Sequence, residues 1–238
     1  MKYGIICEGS HTDKPVLEKV LLHNFPNTQF SIVARDKKAV FYPCYEDINS
    51  LVTQQINNII IIWDLLPVGH QMAVASQWSE KPSRGEQRKM LVEKLINSDQ
   101  LMLPAKEAIK NLSYRYGFGD VNDMVSTPVS IQLICVCYAL DGWLLSDEYV
   151  LRRLASTNAH PVNTLSPSPD RPDFCQNPAG QLTKIFKSAP NKRFRYFNKH
   201  THNASIIQEY IDTGRLDKLR ASHSYSRLID TLAAWGAS

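Results

Sequence analysis

No stretch of this sequence holds the eighteen or so consecutive apolar residues that a membrane-crossing helix needs. The apolar run Tyr3 to Cys7 is too short for the core of a signal peptide and meets Glu8 at once. A cytoplasmic chain with no membrane partner is therefore expected. Cys-x-x-Cys pairs are also missing: Cys7, Cys44, Cys135, Cys137 and Cys175 are odd in number, and most sit beside apolar or aromatic residues. Such thiols are expected to be reduced and mostly buried. Cys135 and Cys137 would share one face of a strand, but the further ligands that zinc requires are not at suitable spacing. There is no P-loop, so any ATP hydrolysis would belong to another chain. No internal repeat is visible. Charge of one sign is scarce too: 27 Lys and Arg against 23 Asp and Glu leave +4, too little by itself to require a polyanionic partner.

What is present is the material of a folded protein, with 43% hydrophobic and 21% charged residues. Tyr3 to Cys7 reads as a strand covered on both faces, ended by the turn-forming Glu8-Gly9-Ser10. Thr12 or Asp13 then suits the cap of a helix with Pro15 in its first turn and a stripe of Val16, Leu17, Val20 and Leu21. A second strand is expected over Phe30 to Ala34 and a helix over Tyr45 to Ile56. The run Ile59-Ile60-Ile61-Ile62-Trp63, stopping at Asp64, has the β-branched content of a central strand. Mixed helical patterns follow, around Met90, Leu91 and Leu95 and over Ala105 to Leu112. Val129 to Ala139 reads as one more buried strand, and a helix through Leu151 and Leu154 starts after Asp147. Asn158 to Gly180 carries five prolines and reads as a long loop. Two one-faced helices close the chain, around Ile206 to Ile211 before Gly214 and around Tyr225 to Leu232.

Strand, helix, strand, helix, strand implies right-handed crossovers and a parallel sheet, whose functional crevice lies at the carboxyl ends of the strands. Glu8 and Asp64 fall at two such ends. One reading makes them a site; the alternative for Glu8 is a carboxylate that accepts N–H bonds from the following turn. His11 beside them is either a phosphate contact or a solvated side chain, and Asp147 reads most simply as a helix cap. The segment from Asn191 to His202 concentrates Lys192, Arg193, Arg195 and Lys199 among Phe194, Tyr196 and Phe197. Cations attract phosphates and rings stack on unpaired bases, so these residues, with His202, are candidates for nucleic-acid binding. The opposing reading is a solvated basic face with its rings turned inward. His200 and His202 lack visible partners for a metal.

Cys7-Glu8-Gly9-Ser10-His11-Thr12-Asp13 resembles the opening Glu-Gly-x-Thr-Glu/Asp motif of the DUF4276 family of Toprim-like proteins. Three later segments are similar to that family in the same order: Asp141-Gly142-Trp143-Leu144-Leu145-Ser146-Asp147, Asn177-Pro178 with Leu182, and Tyr196-x-x-Lys199 before the final helices. The resemblance implies an α/β fold with a Toprim-like parallel sheet core flanked by helices and a C-terminal helical extension. In residues, that is a core over 1–157, a Pro-rich loop over 158–180 and a helical part over 181–238 packed on the core. It implies Glu8 as acid/base, Glu8 and Asp64 as ligands of Mg²⁺ (or Mn²⁺), and action on DNA or RNA, in a bacterial defence or toxin setting with a possible partner ATPase. Toprim metal sites read Asp-x-Asp, whereas this chain has Asp64-Leu65-Leu66; Asp141 is the candidate for the missing carboxylate. A metal-dependent nuclease is the leading expectation. The alternative is a Toprim-like scaffold without catalysis that binds nucleic acid or a partner ATPase.

Overall fold

The structure, a computed structural model, describes residues 2–35, 44–65 and 83–238. Its described strands are β1 (Lys2–Glu8), β2 (Gln29–Arg35), β3 (Asn58–Asp64) and β4 (Ser130–Val136). They form one parallel sheet in the order β2-β1-β3-β4. The helices are α1 (Asp13–Asn24), α2 (Cys44–Thr53), α3 (Arg84–Ile96), α4 (Leu103–Arg115), α5 (Glu148–Ala155), α6 (Pro178–Lys187), α7 (Lys192–Arg195), α8 (Lys199–Asp212) and α9 (His223–Ala234). The expected α/β architecture, a parallel sheet flanked by helices with further helices at the C-terminal end, is present. No helix among the described residues is long and apolar enough to cross a membrane.

The chain separates into two compact units that interleave along the sequence. The first comprises Met1–Gly9, Asn27–Cys135 and Ala234–Ala237; the second comprises Ser10–Pro26, Val136–Ala233 and Ser238.

In the first unit, Ile6, Ile59, Ile61, Trp63 and Leu65 share a core with Ile48 and Leu51 of α2, Leu91 and Leu95 of α3, and Ile109 and Leu112 of α4. Only alternate residues of β3 enter this cluster, which identifies one face of the sheet. Gly4 lies on that face because any Cβ there would come within 2.7 Å of Leu51 Cδ1. The Tyr3 ring stacks on Trp235, with centroids 6.4 Å apart and planes nearly parallel, and its hydroxyl donates to the Trp235 carbonyl at 2.8 Å.

In the second unit, α1 packs on α8 through Val16, Leu17 and Val20, with Ile206, Ile207 and Tyr210 buried on the partner. Trp143, in a 3₁₀ turn over Leu140–Leu145, meets Tyr225 of α9 edge-on at 5.3 Å and donates to Ser224 Oγ at 2.9 Å. Helix α8 ends as anticipated at Gly214, whose φ of +63° is a left-handed stop. Asp147 caps α5 by accepting from the Tyr149 N–H at 2.8 Å, and its other oxygen accepts from Arg215. The Pro-rich stretch is irregular up to Asn177, which caps α6 by accepting from the Gly180 N–H. Cys7, Cys44, Cys135 and Cys175 are buried, and none of the five cysteines forms a disulfide.

Candidate functional site

Glu8 and Asp64 end strands that are immediate parallel neighbours, with Ile6 in register with Ile61. Both carboxylates are buried, at 1% and 6% exposure. The ladder to β2 runs on through Glu8, whose register partner is Arg35, and Gly9 continues it by donating to the Arg35 carbonyl. Alternation gives Glu8 the parity of Ile6, which lies on the face of Trp63 and Leu65. Asp64, between those two, has the parity of Ile60 and Ile62. The two acids therefore share the carboxyl edge of the sheet but leave it from opposite faces.

Beside this edge stands a feature absent from the sequence reading. Arg35 is held by Asp47 of α2, with Nη2 to Oδ1 at 2.7 Å and Nε to Oδ2 at 2.9 Å. Asp47 is buried, and its bond and charge push the Arg35 pKa above its ordinary value.

Asp141, the proposed third carboxylate, lies in the second unit. It is buried in the 3₁₀ turn and accepts from Asn203 Nδ2 of α8. Among the described residues no group of three or more His, Cys, Asp or Glu side chains is placed to hold a metal ion. Mg²⁺ often meets a protein through only one or two carboxylates, but those must reach one ion, and opposite parity sends Glu8 and Asp64 to opposite faces, so as arranged they do not fit the implied metal. Leu66 and the residues up to 82 lie outside the described residues. His11 is exposed in the turn before α1.

The basic segment is resolved residue by residue. Phe194 is buried, and Phe197 stacks on Phe186 of α6 at 6.1 Å. Tyr196, by contrast, is 83% exposed. Arg193 is tied to Ser205 Oγ at 3.0 Å, and Lys192 is exposed on the four-residue α7. His202 sits 5.0 Å from the Phe194 ring and 5.8 Å from Phe197, with Nδ1 accepting from the Asn198 N–H at 2.9 Å. Burial first, and then the Arg193 charge, hold its pKa below the ordinary histidine value.

Arg195 and Lys199 line a groove of about 1050 Å³ within the second unit, together with Lys184 and Lys187 of α6 and with Tyr196. Lys192, Arg193 and His202 are not among its lining residues. No Asp or Glu lines it, and none of the ion pairs among the described residues engages its four cations. Lys184 and Lys187 escaped the sequence reading, although they sit three apart on a helix that buries Leu182, Ile185 and Phe186 on its other side.

No protein-family model, curated protein or solved structure matches this chain. The reading of the site rests on its own chemistry.

Proposed function

We propose that this chain is a nucleic-acid-binding protein on a Toprim-like sheet, gripping the phosphate backbone with Lys184, Lys187, Arg195 and Lys199. The observation that carries this reading is a groove lined by four cations and no carboxylate. Several guanidinium groups elsewhere, among them Arg35, Arg153 and Arg215, are held by the chain's own acids Asp47, Glu209 and Asp147. Arg195 gives Nε and Nη2 to the Ala189 carbonyl, an uncharged acceptor, so among the described residues no acid neutralises any of the four, and such cations suit a polyanion, whose counterions are released on binding. If all four meet phosphates of a single strand, the log–log salt dependence of affinity has a slope of about −3, and each Lys→Gln change flattens it by about 0.7. Titration of a labelled oligonucleotide at several salt concentrations tests this. A slope near zero, or one unmoved in Lys184→Gln and Lys187→Gln, removes the groove from consideration.

A second reading is phosphodiester cutting at the carboxyl edge of the sheet, favoured by the adjacency of β1 and β3, each ending in an acid. In that reading Glu8 would carry the proton of the attacking or leaving oxygen. Mg²⁺ or Mn²⁺, the ions that the resemblance implies, enter only as additions in the test, because the two acids as arranged do not fit them. It ranks second because the two acids have opposite parity. Incubating DNA and RNA with the protein and either ion, beside Glu8→Gln, decides: cleavage by the wild type that the variant loses makes the chain an enzyme. Metal-independent binding without cleavage leaves a scaffold, to which a partner ATPase would bring the only hydrolysis.

A further inference from the structure

Resting on the nucleic-acid reading, we infer that the groove takes a single strand rather than a duplex, with an unpaired base stacked on Tyr196. Three aromatic residues lie close together in this segment and only one is left in solvent. Phe194 is 2% exposed, Phe197 packs on Phe186, and Tyr196 stands out at 83%. Burying a tyrosine ring is favourable and this fold packs both neighbouring rings inward, so an outward ring in a groove that also holds four cations is a platform awaiting a flat apolar partner.

The platform is held in place before anything binds. Asn191 caps α7 and donates from Nδ2 to the Leu154 carbonyl at 2.8 Å. Asn198 caps α8 by accepting from the His200 N–H at 2.9 Å, while its own N–H is taken by His202. Tyr196 thus sits on a short turn fixed at both sides, and little ordering remains to be done on binding. Cations flank the ring in sequence, Arg195 directly before it and Lys199 three residues after, and Lys184 and Lys187 come from α6.

Base faces inside a duplex are covered by their neighbours, so a protruding ring can reach them only at an end. In a single strand every base presents a face, and a ring with cations around it holds base and backbone together. Polar side chains that could read base edges are few in the groove: Thr183 gives its hydroxyl to the Ala179 carbonyl, and the Asn198 oxygen is used by the cap. Recognition is therefore tolerant of sequence.

The test measures fluorescence anisotropy of the full chain with a labelled oligothymidylate, a duplex of equal length and, as a polyanion without bases, competing polyphosphate. Wild type is expected to prefer the single strand. Tyr196→Ala is expected to weaken single-strand binding by about 5- to 150-fold, with duplex and polyphosphate affinity unchanged, and Tyr196→Phe is expected to restore it. Equal loss for all three probes in Tyr196→Ala, or a Phe variant as weak as the Ala variant, overturns the stacking role. So does unchanged single-strand affinity in Tyr196→Ala alongside losses in Lys184→Gln and Lys187→Gln, an outcome that keeps the groove as a backbone site. If neither the ring nor the lysines matter to any probe, the nucleic-acid reading itself falls.

Discussion

Arg35 donates to both carboxylate oxygens of Asp47 at the end of β2, where its Cα is the register partner of Glu8. The pair is lopsided: Asp47 is 6% exposed by side chain and Arg35 is 42% exposed. Removing the cation therefore strands a buried carboxylate, whereas removing the acid leaves a guanidinium that water can reach. Arg35→Ala is expected to lower unfolding free energy by about 1.5–3 kcal/mol, and Asp47→Ala by less. Urea unfolding of both singles and the double variant checks the asymmetry; a coupling energy near zero would mean that the bond contributes nothing.

The Asp141–Asn203 bond yields a prediction that separates architecture from chemistry. Both residues are buried within the second unit, at 5% and 1% exposure. Either alanine variant is expected to cost about 1–3 kcal/mol, with the double variant costing less than the sum. A catalytic Asp141 would behave otherwise, giving Asp141→Asn a fold of unchanged stability and a lost activity.

His202 makes stability depend on pH. Its Nδ1 accepts the Asn198 N–H, which only the neutral ring can do, and burial with the Arg193 charge keeps its folded pKa below the ordinary value of about 6.5. Above that ordinary value both states are neutral and the stabilisation is complete. As pH falls from about 6.5 toward the lowered folded value, the unfolded chain takes up a proton that the native ring refuses, and stability declines. Thermal unfolding across pH 4.5–8 is expected to show this slope in the wild type, with His202→Gln flattened over the same window; parallel curves argue against it.

Thiol chemistry offers a direct probe of burial. Cys44 lies in the first-unit core, and burial pushes its pKa up to about 12; Cys175 is likewise raised by burial. Neither is expected to react with iodoacetamide at pH 8 while the chain is folded, because the thiolate is the nucleophile. Partly exposed Cys137 is the expected first site of labelling. Mass spectrometry before and after denaturation counts the modified residues, and early labelling of Cys44 would contradict its packing.

Gly142 follows Asp141 in the 3₁₀ turn, and a Cβ there would lie 2.9 Å from the Pro172 carbonyl oxygen. Because that atom is backbone, it cannot rotate away as a side-chain end would. Gly142→Ala is expected to destabilise by about 1–3 kcal/mol. Gly4→Ala meets the movable Leu51 methyl and should cost less; circular-dichroism melts of the two rank them.

Much of this fold is legible in short-range pattern. The isoleucine run announces β3, the stripe of Val16, Leu17, Val20 and Leu21 announces α1, and Asp147 announces the helix it caps, because each signal lies within a few residues of its effect. Β4 ends at Val136, short of the expected Ala139, where Tyr138 takes a φ of +66°. Relationships set by pairing were not legible. Whether Glu8 and Asp64 leave the same face depends on the offset between β1 and β3, which no single strand encodes. Likewise, α1 follows β1 directly yet belongs with the later helices, as only long-range contacts reveal. Half of the groove was readable from a dense basic run; its α6 wall was hidden because two lysines on an amphipathic helix look like any solvated surface.

The stacking of Tyr3 on Trp235 joins the first strand to residues that follow the last helix. During synthesis all four described strands exist roughly a hundred residues before position 235 is made, so β1 waits for a segment far along the chain to finish its packing. Loss of a few residues after α9 would thus register far away in sequence, as loosening of the strand that carries Glu8.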